Sequence, residues 1–365
     1  MNINKPNFFF QWHITDKCQQ RCQGCYLFQS DVCQEKENKD LDLSTLLLIA
    51  EDAIKTARAL KANPIFVLTG GDPILYQNFW GLLEAINNFS LKFKTKIKID
   101  LLGNPFEIND KVASRMVNLG VIKYQLSIDG LREKHDFLRK PESYKKTLRA
   151  AEILKRHGIR TSCMFTLSKF NSTDLVKVMR KVAQKGFDAF AFARFCKPEK
   201  MSVIEYKKDI FSPFEYKKFL GKIYQATQEI SSSYPNIRFV FKDHLWKLFF
   251  YEKGDIKNND LEKIRVRKIV AGGCSLGIAT LSILSDGTVY ACRRFKSPIG
   301  KVPEQKLLDI FLNSKEINYY RNPEKYEKCK NCPLVCLCRG CGAVSYGISG
   351  SFFSPDPQCW YNEKR

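Results

Sequence analysis

Cys18, Cys22 and Cys25 stand in C-x3-C-x2-C spacing within FFQWHITDKCQQRCQGCYLF (Phe9–Phe28), with the aromatic Tyr26 directly after the last thiol. Three thiolates on so short a loop can converge on one inorganic centre. A cubane [4Fe-4S] cluster has four irons, so three ligands leave one iron without a cysteine, free to bind something else. A structural zinc site instead wants four ligands, commonly as two C-x2-C pairs a dozen or more residues apart. The nearest fourth thiol is Cys33, in an ordinary polar loop. Three is also an odd number for disulfides, and no secretory signal precedes the loop. A cluster is the favoured reading, with zinc and unligated thiols as alternatives. Eight of the 14 cysteines gather from Cys274 onward, a second concentration of possible ligands.

The short apolar run before the loop reads as a strand, and helices then alternate with strands along the chain. Leu43–Leu60 has helical spacing with Ser44 as N-cap; Ile65–Gly71 reads as a strand running into a glycine turn. A helix over 78–89, a strand over 97–104 and a helix over 110–119 closed by Gly120 come next. Then come a strand over 123–130, a helix over 144–157, a strand over 159–167, a helix over 172–184 and a strand over 187–195. Strands too apolar to face water on either side, alternating with helices, imply a parallel sheet with right-handed crossovers. Six units fall short of a closed eight-unit barrel, so the fold class is α/β, a partial (β/α)6 TIM-like barrel. Chemistry in such barrels sits at the C-terminal strand ends. The cysteine loop, the Gly70-Gly71 turn, Asn104 and Ser127–Gly130 all lie there. Pro213–Ser231 reads as one more helix, and 236–270 as a basic, aromatic bridge to the tail. The domains are therefore 1–210 (barrel), 211–270 (bridging helical region) and 271–365 (tail).

The 365 residues, 44% hydrophobic and 13% aromatic, suffice for a packed core, and no apolar run approaches a membrane span of about 18 residues. Without a signal peptide the reading is cytoplasmic, where thiols stay reduced and cysteines point toward metal. The net charge of +22 comes mostly from Lys scattered along helices among Glu and Asp, without a nucleic-acid-binding motif. Solvated faces are the default; nucleic acid and membrane are not expected as partners.

With its loop at the end of the first strand of a six-unit barrel, the chain resembles the radical S-adenosylmethionine (SAM) superfamily. The tail resembles that superfamily's SPASM domain, an iron–sulfur module. The resemblance implies three [4Fe-4S] clusters, one binding SAM through its open iron and two auxiliary. It also implies reductive cleavage of SAM to a 5′-deoxyadenosyl radical that abstracts a substrate hydrogen. Carried over, Cys18, Cys22 and Cys25 hold the first cluster and Tyr26 adjoins it. Gly70, Gly71 and Asp72 match the family's GGE-type turn, where glycine admits close backbone approach to the SAM amine. Ser127 resembles the ribose contact, and Asp129 is expected to face the substrate as a catalytic residue. Arg139 resembles the arginine that pairs with the SAM carboxylate, a task suited to its two-pronged geometry. Phe192, and the strand as far as Arg194, lie where the family contacts adenine.

In the tail, Cys274-x12-Gly287-x4-Cys292 matches the opening of the SPASM pattern, with a hairpin turn at Asp286-Gly287. The resemblance assigns Cys329, Cys332, Cys338 and Cys359 to an outer cluster and Cys274, Cys292 and Cys341 to an inner one. Two departures stand out. Cys338 and Cys341 are separated by two residues rather than the usual three, and Cys336 is an alternative to Cys338. The inner cluster has only three evident cysteines, so its fourth iron is open, binds substrate, or takes a ligand from elsewhere. Most SPASM proteins resemble peptide and protein modifiers. The expectation is an oxidoreductase that matures a ribosomally made peptide, a Cys-rich one among the candidates, by a cross-link such as a thioether or other C–H functionalisation. Electrons would come from a reductant such as flavodoxin or ferredoxin. The barrel is expected to begin directly, without a leader-binding module. The alternatives are a heme- or tetrapyrrole-pathway decarboxylase and sulfatase-maturase-like protein oxidation.

Overall fold

The computed structural model describes residues 5–27, 40–258, 261, 263 and 272–362, so Cys33 and Phe28 lie outside the described residues. Six parallel strands carry the frame: β1 (Asn7–Thr15), β2 (Asn63–Gly70), β3 (Lys98–Leu102), β4 (Val121–Ser127), β5 (Arg160–Leu167) and β6 (Ala189–Arg194). Each pairs in parallel with its sequence neighbour, so a crossover connection joins every pair. The helices between them are α1 (Leu43–Ala59), α2 (Phe79–Lys92), α3 (Asp110–Asn118), α4 (Arg132–Leu138), α5 (Ser143–Arg156) and α6 (Leu175–Gln184). The cap of α1 is Asp42, not Ser44: the Asp42 carboxylate accepts from the Thr45 amide at 2.7 Å, and Ser44 merely donates to it. α4, which the sequence reading lacked, follows the S-x-D-G stretch directly.

The strands are not apolar on both sides. Phe10, Trp12, Ile14, Phe66, Leu68, Leu101, Tyr124, Leu126, Phe165 and Phe192 are buried on the face under the helices. Alternation turns the other residues of each strand to the lumen: Gln11, His13, Gln125, Ser127, Thr166, Ala191 and Ala193. The apolar face holds the barrel together, each large side chain contributing on the order of 1.5–3 kcal/mol. The polar and small face is free to hold a ligand.

Beyond β6 the chain builds α7 (Val203–Asp209), α8 (Pro213–Ser233), β7 (Arg238–Val240) and α9 (Trp246–Glu252). Both α7 and α8 open on capping boxes, Ser202 with Glu205 and Ser212 with Glu215. The bridge is thus not wholly helical, because β7 pairs with β6 and lengthens the sheet. The tail adds β8 (Thr280–Ile283), β9 (Thr288–Tyr290), β10 (Pro298–Lys301), α10 (Leu307–Asn313), α11 (Lys315–Arg321) and α12 (Gly342–Ser349). The expected hairpin forms: Asp286 caps the turn by accepting from the Thr288 amide at 2.9 Å, and Gly287 takes φ +84°. The tail is continuous with the barrel, since β8 pairs in parallel with β1 and gives one ten-stranded sheet, β10-β9-β8-β1-β2-β3-β4-β5-β6-β7. Among the described residues no helix is long and apolar enough to cross a membrane.

A buried ion pair fastens the tail to the far side of the barrel. Arg194, at the end of β6, donates to Asp243 at 2.7 Å and, two-pronged, to both carboxylate oxygens of Asp356 at 2.7 Å each. Its Nη1 also reaches Gln358 at 3.0 Å. Asp356 in turn accepts from the Cys341 amide at 2.8 Å. This corrects the expectation that β6 as far as Arg194 meets adenine: every prong of this guanidinium is occupied. Removing one partner of a buried pair strands the other charges, a loss of about 3–5 kcal/mol. We expect Arg194→Ala to destabilise the protein by that amount in denaturant unfolding. Arg194→Lys should fail to restore it, because an ammonium lacks the planar fork; wild-type stability of the lysine variant would remove the fork from the account.

Candidate active site

The cysteine loop leaves β1 and crosses the C-terminal mouth of the barrel, held by its neighbours' backbone. The Gly71 amide donates to Thr15 O at 2.9 Å and the Asp72 amide to Lys17 O at 2.7 Å. Gly70 has φ +133°, and a Cβ on either glycine would overlap the Thr15 or Lys17 carbonyl. The glycines of the GGD turn are therefore required first by the loop itself, a closer reason than the ligand contact expected from sequence. On the other side the Gln23 amide donates to Leu138 O at 2.9 Å, and a Cβ on Gly24 would come within 2.9 Å of the Phe195 ring.

The loop sulfurs have polar company. Asn104 Nδ2 approaches Cys18 Sγ at 3.6 Å, and the Gln20 amide lies 3.4 Å from the same sulfur. Cys22 Sγ reaches Gln20 Oε1 at 3.6 Å. Gln20 donates to Ser143 Oγ at 2.9 Å, and that hydroxyl lies 3.0 Å from His135 Nε2. His135 Nδ1 accepts from the Asp129 amide at 3.1 Å, so the other ring nitrogen carries its proton. Burial lowers His135 to about 4, which keeps the ring neutral. The chain closes on Asp129, whose Oδ2 takes Arg139 Nε at 2.6 Å while Oδ1 takes the Thr166 amide at 2.7 Å. Asp129 also borders the cavity, but both of its oxygens are engaged. The expectation of a catalytic carboxylate facing substrate gives way to one that aims Arg139. Despite its burial, Arg139 is held firmly charged by Asp129 and by Cys22 nearby.

Close to the loop, Asp72 and His13 each carry buried side-chain atoms without a hydrogen-bond partner. Asp72 is fully enclosed; its Oδ1 lies 3.5 Å from the Ile74 amide, its Oδ2 accepts from nothing, and burial raises the carboxyl to about 7. It is an electrostatic neighbour of Cys18. His13, beneath Tyr26 in the lumen, has neither ring nitrogen satisfied, and burial with Arg293 nearby lowers it to about 3. Ser127 ends β4 on the lumen face. Phe192 does not reach the lumen: it packs against Phe219 and Trp246 at ring distances of 6.4 and 6.1 Å. Strand alternation puts Ala191 and Ala193 inward in its place, which corrects the adenine-side expectation for Phe192.

One cavity of about 730 Å³ joins the loop to the tail. Cys22, Cys25, Tyr26, Asp129 and Arg139 border one end, and Cys196, Cys274, Cys292 and Cys341 the other. Lys242, Arg293 and Arg294 also line it, Arg293 over the Tyr26 ring and Arg294 against Cys341. Lys242 is exposed on the cavity wall, and crowding by that wall and by the Arg293 and Arg294 guanidinium groups lowers its ammonium below the usual range. His244 bonds Cys274 and Cys341, and these thiols hold it charged up to about 10 against the opposing effect of burial. A separate, narrow cavity is lined by Cys329, Cys332, Cys338 and Cys359 with Asp356 and Leu334. Cys336 is not on its wall, which separates it from Cys338. Burial pushes Cys329 up to about 12, and Cys22 and Cys359 up to about 11.

These donor sets suit iron–sulfur clusters. Each group lines a cavity: Cys22 and Cys25 one end of the larger one, Cys274, Cys292 and Cys341 its other end, and Cys329, Cys332, Cys338 and Cys359 the narrow one. Thiols raised by burial ionise only when a cation replaces the proton. The unpartnered Asp72 oxygen near Cys18 and the aimed Arg139 near Cys22 offer one acceptor and one donor beside the loop, the complement of an amino-acid head group. Cys196, His244 and Lys242 are the site residues that sequence reasoning missed. For Cys196 a signal existed, a thiol two residues past a strand end.

Comparison with known proteins bears on the same elements. A model of the Radical SAM superfamily matches residues 12–182, and a SPASM model, an iron-sulfur cluster-binding domain, matches residues 274–333. An AdoMet-dependent heme synthase of Oleidesulfovibrio alaskensis is 22% identical over 360 residues, spanning 97% of this chain and 87% of that protein. Among solved structures, native anSMEcpe with bound AdoMet and Cp18Cys peptide superposes with TM-score 0.70 at 20% identity, covering 96% of this chain and 93% of the other. SuiB of Streptococcus suis bound to precursor peptide SuiA gives 0.68 at 16% identity, covering 97% and 76%. At such identities these likenesses establish the shared fold. A barrel with a three-cysteine loop at its mouth and a cysteine-rich tail sharing its sheet makes this chain an enzyme of the radical SAM superfamily with a C-terminal SPASM domain.

Proposed function

We propose that the chain matures a peptide by radical SAM chemistry, with the target residue lying in the 730 Å³ cavity between the loop and the inner thiols. The observation that carries this reading is that cavity's two ends, each bordered by its own cysteine group. When bound, a [4Fe-4S] cluster with SAM on its open iron supplies an electron and a 5′-deoxyadenosyl radical able to take hydrogen from an unactivated carbon. The chain's residues bind and orient. Cys18, Cys22 and Cys25 hold the cluster, while Cys329, Cys332, Cys338 and Cys359, and Cys274, Cys292 and Cys341, hold the two auxiliary ones. Arg139 takes the SAM carboxylate, Asp72 Oδ2 its ammonium, and Tyr26 and Ser127 flank the rest. A bound ammonium would draw Asp72, raised by burial, back to its ionised form. Asp129 is a positioning residue, holding Arg139 through a charge-assisted bond. Phe137, Phe170 and Met164 give the cavity apolar wall for a side chain. Two solved structures of this fold, those of anSMEcpe and SuiB, hold bound peptides, which supports a peptide here.

A second reading has its own observation. Lys242, Arg293 and Arg294 make a cationic stretch of wall, and it would suit the carboxylates of a tetrapyrrole. The heme synthase relative accords with it. Reconstituted enzyme supplied with SAM, dithionite and either a short Cys-rich peptide encoded beside its gene or an iron-bound tetracarboxylate porphyrin separates the two. The peptide reading expects loss of two hydrogens from the peptide by mass spectrometry; carbon dioxide loss from the porphyrin with an untouched peptide would replace it.

The binding roles have separate tests. Cys22→Ala should abolish 5′-deoxyadenosine formation, and cleavage that persists in this variant removes Cys22 from the ligand set. Asp129→Asn keeps the shape but weakens the bond to Arg139. With about 1.5–3 kcal/mol at stake in such a bond, the KM for SAM should rise roughly 10- to 100-fold. A fall in kcat alone, at unchanged KM, would return Asp129 to a catalytic role.

A further inference from the structure

The three tail cysteines of the inner site have a fourth companion in the barrel. Cys196 follows β6 by two residues and shares the cavity wall with Cys274, Cys292 and Cys341. Its thiol is in hydrogen-bond contact with Cys341, and Cys292 lies near it. One guanidinium, that of Arg294, has all four sulfurs as its electrostatic neighbours and donates to Cys341 Sγ at 3.5 Å. The placement is built in, because Arg194 binds Asp356, which binds the Cys341 amide. The same interaction that docks the tail therefore sets Cys196 against Cys341.

Other donors near the site are committed elsewhere. Asp243 is paired with Arg194, Cys338 lines the outer cavity, and His244 already bonds two of the inner sulfurs.

We infer that Cys196 is the fourth ligand of the inner auxiliary cluster, supplied by the barrel rather than the tail; this rests on Cys274, Cys292 and Cys341 being cluster ligands. On ligation the thiol proton leaves to solvent and the Cys196 Sγ–Fe bond forms. Every iron of that cluster then carries a cysteine. A substrate sulfur then finds no vacant iron on that cluster. Arg294 and His244 act as donors to the ligating sulfurs, which sets the cluster's charge balance.

The test isolates the auxiliary sites in a chain with Cys18, Cys22 and Cys25 all changed to Ala. Reconstituted anaerobically, it should carry about eight irons, two cubanes. A cubane with an unligated iron sheds it on ferricyanide oxidation and leaves a three-iron cluster with a near-isotropic EPR signal. We expect no such signal from this background, about one three-iron cluster per chain after adding Cys196→Ala, and none after adding His244→Ala. A signal already present in the background, or a Cys196→Ala variant that stays silent, overturns the assignment. A background chain that binds no iron overturns the auxiliary-cluster reading itself and Cys196 with it. Should Cys196→Ala fail to fold, the wild-type chain serves. Carboxamidomethylation of Cys196 should appear only after iron is chelated, and equal labelling of loaded and chelated protein refutes ligation.

Discussion

The arrangement of this enzyme depends on one buried guanidinium. Arg194 ends the sixth strand, and its guanidinium fixes two otherwise separate pieces of chain to it: Asp243, and the tail segment that carries Asp356 and Gln358. Asp243 is followed directly by His244, which bonds the inner sulfurs, and Asp356 holds the Cys341 amide and lines the outer cysteine cavity. A charge this deep is tolerated only because its partners are ionised and close. Hydrophobic packing could hold the tail against the barrel, but it would not set the rotation at which it docks. The planar fork does, and the distance between the two ends of the cavity depends on it.

A second network repeats the principle at the cysteine loop. Gln20, Ser143, His135, Asp129 and Arg139 form a run of hydrogen bonds that starts and ends beside Cys22. The loop itself has little secondary structure. Its shape is imposed by partners from four other elements, among them the glycine turn after β2 and the end of α4. That is how a short irregular segment can present three sulfurs reproducibly. The neutral state of His135 matters here, since a protonated ring would offer the Asp129 amide no acceptor.

Much of this was legible in the sequence, and the rest was hidden for identifiable reasons. The six strand–helix units were visible because each strand is a short apolar run flanked by turn residues, and the hairpin at Asp286-Gly287 because the turn requires that chemistry. The two-faced character of the strands was missed: Gln11, His13 and Thr166 are too few among Phe, Ile and Leu to break the run. α7 escaped although Ser202 and Glu205 spell a capping box, since the helix is short and its apolar face brief. Phe192 illustrates a single-residue error in register, which in a strand turns a side chain to the opposite face. The role of Asp129 and the company of Cys196 depend on contacts between distant parts of the chain. Local pattern carries no trace of these.

The tail strand β8 lies beside β1, so Phe9 pairs with Thr280 and Trp12 with Ile283. That register bears on how the protein is made. At about 5–20 residues per second, some 15–50 s of translation separate the first strand from the one that completes its edge. Through that interval β1 presents open hydrogen-bonding groups, flanked by Phe8, Phe10 and Trp12, to whatever else is nearby. The newborn barrel is thus an aggregation hazard until the last quarter of the chain emerges, and of the proposed cluster ligands iron delivered before then meets only the Cys18–Cys25 group and Cys196. A chaperone hold on the nascent N-terminal half, and cluster insertion after release from the ribosome, are what this topology asks of the cell.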